Sequence, residues 1–404
     1  MCKRNKYPIL MFNLSILGVA GLHPRFELEE MAIQFGHNSR LEKFYPRVDS
    51  YSQDVAWWRP NSFASSFAVA CAAPLGWAIA GICAKAATSR GVKHSHYFLD
   101  FIISNLLCVF IFFHLAGGMQ LGQNDPLNSL NGIWAATAGS IDAVGNLLMT
   151  LSIATAGLTT SVTICMALGL IVGAVTTYAV DHRGNLICIG VAVFLSVLAV
   201  VANTMAVKWA QDSQESIPSE GSGEECADSK SEAMQENSET RSANAPTTLR
   251  YAFVGGIFIG AWAPLSAKSM TGPEALSPYA SFLFFSIGFF IAGCVLLQVK
   301  KSMEMELDGI SSEVSYIDQP QSAHTWGFVA GFAWSLASQA NCLGGKSVGF
   351  SVAFTVGQSS PMISGLVGLL YFKDFRHSQM AIFLCLFSII LYFSGVLVLA
   401  NSST

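Results

Sequence analysis

The chain has 404 residues, with 22 Lys+Arg and 26 Asp+Glu, so 12% of it is charged and 52% hydrophobic, at a formal net charge of -4. Soluble domains carry roughly 25% charged residues, yet three segments here, 1–62, 208–250 and 299–322, hold 34 of the 48 charges. The other 275 residues cannot cover a water-facing surface, which excludes a soluble enzyme, and the missing basic excess excludes a nucleic-acid binder.

At the N-terminus, Lys3, Arg4 and Lys6 precede a largely apolar stretch from Pro8 to Leu22. That stretch is short for a span and suits a signal peptide or a retained signal anchor over 1–22, with Gly18-x-Ala20 as a cleavage site. Residues 23–62 are then expected on the far side of the membrane. Charge-free runs follow at 63–84, 101–124, 184–207, 275–299, 319–345, 347–372 and 377–404. A helix rising about 1.5 Å per residue crosses a hydrocarbon core of about 30 Å in about 20 residues, so each run predicts a span. The run 143–180 holds most of two more, folded at Ala156–Gly157–Leu158, the first beginning near Asn131. The run 251–267 is short and contains Pro264, which predicts a broken or tilted span.

The expectation is therefore an all-α, polytopic membrane bundle of ten spans between Phe63 and Ala400. Continuous rather than alternating apolar runs exclude a transmembrane barrel. Residues 208–250, rich in Ser, Glu, Asn and Gln with 9 acids against 4 bases, cannot support a packed core. They divide a first five-span repeat (63–207) from a second (251–404).

Loop cations orient the chain. Arg90, Lys93, Lys208, Lys230, Arg241, Arg250, Lys300, Lys301, Lys373 and Arg376 fall after spans one, five, seven and nine, against Arg183, Lys268 and Lys346 on the opposite side. Arg47 and Arg59 add to that second side without reversing the balance. The acidic linker is thus expected in the cytoplasm, in a protein of the plasma membrane or else of an endomembrane or organelle. The two halves also echo one another: Gly157 to Asp181 and Gly349 to Asp374 each open on glycine, cover one span and end on an acid before a basic turn. Halves with an odd number of spans must be antiparallel, the inverted repeat of secondary transporters, which bind substrate near the midplane.

The ten cysteines show no CxxC spacing and no accompanying His pair, so neither disulfides nor a metal site is expected, and no cofactor. Asp142 lies about 11 residues into the third span, near the midplane. An intramembrane carboxylate costs a few kcal/mol on insertion scales, which marks it as the proton-coupling residue. Asn146 and Thr150 continue its stripe at four-residue steps. In the ninth span Ser351, Thr355, Gln358 and Ser359 form a second polar stripe above Pro361. Gln358 offers both donor and acceptor to the amide edges of a heterocycle. Trp77 near Pro74 and Trp262 beside Pro264 are candidates to stack on a flat ring, and Ser335, Gln339 and Asn341 add polar groups from the eighth span. Helix packing is the alternative role for each polar group, and interfacial anchoring for each Trp. Pro264, Pro361, Gly344 and Gly345 are the expected hinges. The stretch from Ala340 to Ser347 fits a loose phosphate-loop pattern, but it joins two apolar spans rather than a strand and a helix. Lys346 and Lys85 are read as snorkelling cations.

From Phe63 to Ala400 the chain resembles the drug/metabolite transporter superfamily and, within it, the ureide permeases. The segments that carry this are SRGVKHSHYFLDFIISNLL (89–107), GNLL with AGLTTSV (145–162) and GGKSVGFSVAFTVGQSSPMISGLVGLLYF (344–372). In the last of these, the family's paired glycines, Gly-aromatic step, Gln and Pro fall on Gly344, Gly345, Gly349–Phe350, Gln358 and Pro361. The resemblance implies import of allantoin, uracil or a related heterocycle with proton coupling. The chain departs from that family in lacking a phosphate-loop-like sequence in the linker and in carrying Lys346 where the family has an amide. A sugar porter of the same superfamily and a non-transporting membrane receptor or scaffold are the other readings.

Overall fold

A computed structural model describes residues 60, 62–115, 130–181, 185–215, 245–272, 275–308, 316, 319–375 and 378–400. The expected leader at 1–22, nearly all of 23–62 and most of the linker lie outside the described residues. Every regular element among the described residues is helical.

The first rod starts where the charges of the N-terminal segment end. Ser62 accepts from the Ser65 N–H at 3.2 Å, and the Ser65 side chain returns the bond, closing a capping box on α1 (Phe63–Ala70). α2 (Ala73–Ser89) continues the rod beyond a turn at Cys71–Ala72, with Pro74 in its first turn, where a missing N–H costs nothing. The second to fifth rods are α3 (His94–Leu115), α4 (Leu130–Ala156), α5 (Leu158–Asp181) and α6 (Leu186–Glu215). The sixth to eighth are α7 (Ala245–Ser269), α8 (Pro278–Asp308) and α9 (Gln321–Val348). The ninth is split into α10 (Phe350–Gly357), α11 (Ser360–Val367) and a π-turn at Gly368–Phe372, and the last is α12 (Gln379–Ala400).

Seven of these rods are long and apolar enough to cross a membrane. α4, α7 and α9 fall short of that standard although each is a continuous helix of 25 or more residues. α4 and α9 bear polar candidate site residues, which lower the mean hydropathy, while α7 bears Arg250, Trp262 and Pro264. On α6 and α12 the apolar rows face outward: Ile187 is 76% exposed and Phe383 62%. That is the side chain chemistry of a lipid-facing surface.

Three boundaries differ from the sequence expectation. α7 runs unbroken through Pro264, so the anticipated break is absent; the proline removes one backbone donor near the C-terminal end without stopping the helix. α6 extends to Glu215 and α7 begins at Ala245, because Gln, Glu and Ala after or before an apolar run remain good helix formers. And the turn between the eighth and ninth rods is at Gly349 rather than at Gly344 and Gly345, which lie inside α9.

Packing pairs the rods in a regular way. α9 lies against α1, α2 and α3, while α4 lies against α7 and α8. α5 packs on α7, and α11 on α2. α3 meets α8, α5 meets α10 and α11, and α6 meets α12. Small residues allow the close crossings, as expected where lipid offers no hydrophobic drive for association. At the α4–α8 crossing, a Cβ on Gly139 would stand 1.9 Å from the Phe285 carbonyl oxygen, and one on Gly288 2.0 Å from that of Ala136.

Candidate functional site

The ninth rod is where backbone and side chains open together. Gly349 adopts φ 95°, a conformation an L side chain resists, so α9 can end and α10 begin with no intervening loop. Seven residues later α10 stops: the Gln358 N–H still reaches the Phe354 carbonyl at 2.9 Å, but Ser359 bonds to Val356 and Met362 to Ser359 at 3.1 Å. Pro361 sits in the first turn of α11, where its ring fits.

The side chains around this interruption come from five rods. Trp77 of α2 lies against Gly357, where a Cβ would be 2.5 Å from its ring, and its Nε1–H donates to Ser338 Oγ of α9 at 2.9 Å. Trp262 of α7 meets Trp77 edge-on at 6.4 Å, Phe354 at 5.6 Å and Phe285 of α8 at 5.4 Å. Asn341 donates to the Ala353 carbonyl at 2.6 Å. The Gln358 carboxamide faces Gly169 of α5 and is 1% exposed, and neither its nitrogen nor its oxygen has a hydrogen-bond partner. An unpaired buried amide costs about 1–3 kcal/mol. In a natural chain, such a group calls for a ligand or water that completes it.

Asp142 lies elsewhere, in the middle of α4, and is 1% exposed. Asn146 Nδ2 donates to its Oδ2 at 2.9 Å and to its own-turn carbonyl at 3.1 Å. The Thr150 hydroxyl lies 2.9 Å from the Asn146 and Leu147 carbonyls and 2.6 Å from Nε2 of His94. The expected stripe thus exists as a ladder along one helix and ends on a histidine. One residue ties the two regions: Ile259 of α7 contacts the positions of both Gly145 on α4 and Gly169 on α5.

The structure therefore gathers Trp77, Trp262, Asn341 and Gln358 and leaves others apart. Gln339 donates to the Pro278 carbonyl at the start of α8, at 3.3 Å. Thr355 and Ser359 bond back to Ser351 and Val356 within their own turns, as hydroxyls packed in helices do. Gly344 packs on Ser66 and Ala70, and Gly345 on the Phe350 ring, as contact positions. Lys346 Nζ donates to the Met270 carbonyl at 2.9 Å. Phe354, Phe285, Ser338 and His94 escaped the sequence reading. Phe354 lies one turn before Gln358 and was legible as its neighbour on the same face; Phe285 and Ser338 sit in ordinary apolar or small-residue context and carried no signal. Among the described residues no group of His, Cys, Asp and Glu has the arrangement of a metal site, and the eight described cysteines are free.

Helices of this length and apolarity, with outward hydrophobic rows and a polar, interrupted interior helix, define an integral multi-pass membrane protein of the transporter class. The sequence profile of the family named Ureide permease matches residues 265–403. Ureide permease 4 of Arabidopsis thaliana is 24% identical over 371 residues, covering 78% of this chain and 91% of that protein. Ureide permease 2 of the same plant is 23% identical over 364 residues, with coverage of 78% and 91%. Over most of its length the chain is thus similar to the ureide permeases, at a distance.

Proposed function

We propose that the protein imports a small polar nitrogenous heterocycle, a ureide such as allantoin or a nucleobase such as uracil, across the plasma membrane by proton symport. The observation that carries the reading is the unpartnered Gln358 carboxamide at the interruption of the ninth rod. It offers an NH2 donor pair beside a carbonyl acceptor, the complement of a neighbouring N–H and C=O on a ureide or nucleobase. Trp77, Trp262 and Phe354 supply flat apolar faces beside it, and Asn341 a second amide.

Ten spans in two inverted halves suit this function, and the packing supports them. Exchanging each rod with the one five places later converts α9 on α1, α2 and α3 into α4 on α7 and α8, and maps the pairs α3–α8 and α6–α12 onto themselves. Gly157, at φ 88°, and Gly349, at φ 95°, occupy matching turns. On this reading the ends bearing Arg90, Lys93 and the 208–250 linker face the cytoplasm. Asp142 takes up a proton from outside, substrate completes Gln358, the halves rock, and the proton leaves inward.

The test is a thermal-shift screen of the purified protein against ureides, nucleobases, nucleosides and sugars, followed by uptake in transport-deficient cells. Stabilisation and uptake of ureides or nucleobases, lost in Gln358→Ala, are expected. A response to sugars alone would replace the substrate class, and no uptake of any of them would favour a receptor or scaffold.

A further inference from the structure

Asp100 and His324 belong to neither the Gln358 region nor the Asp142 ladder. Asp100 lies in the second turn of α3 and is 1% exposed. Gly327 of α9 makes the room: a Cβ there would approach the Asp100 Cβ to 2.4 Å. The two carboxylate oxygens are held from different elements. Oδ2 is 2.9 Å from Nδ1 of His324 on α9, and Oδ1 accepts the hydroxyl of Tyr316, which precedes α9. The Tyr316 ring also meets His324 edge-on at 4.6 Å and His96 at 5.6 Å.

Among the described residues no lysine or arginine pairs with Asp100. Arg90, on the turn before α3, stacks 4.5 Å over Trp326 and donates to the Ala86 carbonyl. α2 presents Lys85, whose ion-pair partner is Asp374, and Tyr97 donates to the Ala80 carbonyl. Along α4 the one acid is Asp142, and the described side chains of α8 that line the shared core add Cys294. Tyr316 is held neutral, its hydroxyl raised above the ordinary phenol range by burial, by its hydrogen bond to Asp100 and by that carboxylate's charge. Among the described residues, the cation-forming group hydrogen-bonded to Asp100 is the imidazole of His324.

We propose that His324 and Asp100 form a proton-binding site separate from Asp142, whose proton clamps α9 against α3 at the basic end of the bundle. A buried carboxylate without a countercharge is costly, while one paired and hydrogen-bonded is tolerated. Protonating His324 therefore favours the packed arrangement, and deprotonating it favours separation. Histidines as a class exchange protons between pH 5 and 8, and the His324 side chain is 21% exposed, which gives the proton a route to water. The clamp itself rests on the contact between α3 and α9. Its meaning for transport rests on the proposed function: a less acidic cytoplasm would release the inner end.

The test follows the melting temperature of the full-length protein in lipid nanodiscs from pH 5.5 to 8. The wild type is expected to lose a component of about 1–2 °C as pH rises, the size of shift a single site makes in a chain of this length. His324→Gln should lack that component, and Asp142→Asn should keep it. A His324→Gln profile that superposes on the wild type overturns the proposal. Should His324→Gln fail to fold, Asp100→Asn decides, since a neutral amide gains nothing from a charged imidazole: a flat profile supports the site and a wild-type profile overturns it. Lost uptake in Asp142→Asn with this component intact would bear on the coupling reading alone.

Discussion

The middle of α4 and the basic end of the bundle bury their acids in opposite ways. Asp142 is satisfied inside its own helix, by Asn146 one turn on. Asp100 and Asp374 are satisfied across helices: Asp100 by His324 and Tyr316, and Asp374 by the N–H and hydroxyl of Thr159 at 3.2 and 2.8 Å, with Lys85 at 4.0 Å. An acid whose partner shares its helix can change charge without undoing tertiary contacts. An acid that bridges helices makes the packing itself depend on its charge. The first is suited to carrying a proton, the second to holding an end shut.

The largest expected effect tests the first half of that contrast. Asp142→Asn keeps the shape and the bond to Asn146 but cannot titrate, so uptake driven by a pH gradient should fall at least ~10-fold, the change that 1.4 kcal/mol makes in an equilibrium, while the melting temperature stays near wild type. Gradient-driven uptake at the wild-type level would leave Asp142 a packing residue. Gln358 sharpens the contrast next, as a buried polar group with no partner in either manner. Gln358→Leu removes an unsatisfied amide and should stabilise the protein by about 1 kcal/mol while lowering uptake; unchanged uptake together with higher stability would mean the amide meets no substrate.

Asp374 tests the second half. Asp374→Ala removes the group that caps α5 and is expected to destabilise by about 1 kcal/mol, with little from Lys85, because partly exposed ion pairs contribute about 0–1 kcal/mol. A Lys85→Met loss equal to that of Asp374→Ala would show the pair, not the cap, to be the stabilising contact. The smallest effect is at Lys373, which closes the π-turn at φ 56° and so turns Asp374 back towards α5. Lys373→Gly relieves a left-handed non-glycine residue and should raise stability by up to about 1 kcal/mol, read as a modest rise in melting temperature.

Much of the fold was legible because spans are written in long apolar runs. The turn at Gly157 and the start of α4 near Asn131 follow from run length and glycine alone. The helix ends that were misplaced share one reason: spans were bounded by charges. Asp100 was placed outside the second span, although α3 begins at His94 and buries it, since nothing local announces that Gly327, 227 residues away in sequence, admits the carboxylate and that His324 meets it. The same rule ended the fifth span at Val207, where α6 continues. Of the site, the amides and tryptophans were visible because polar or large groups are rare in such runs. Phe285 was not, because a Phe in a membrane helix is ordinary until a partner faces it.

Among the described helices, α6 and α8 overrun the bilayer furthest. At about 1.5 Å per residue, α6 measures about 45 Å and α8 about 46 Å, against a hydrocarbon core of about 30 Å. The apolar part of α8 ends at Val299, and Lys300–Asp308 prolong it by about 13 Å. On the proposed orientation these ends are stiff posts standing in the cytoplasm, and the acidic linker hangs from one of them. A small tilt of α6 or α8 within the membrane is therefore magnified at the post's tip, as by a lever. A cytoplasmic protein reading that tip would sense the transport cycle without touching lipid.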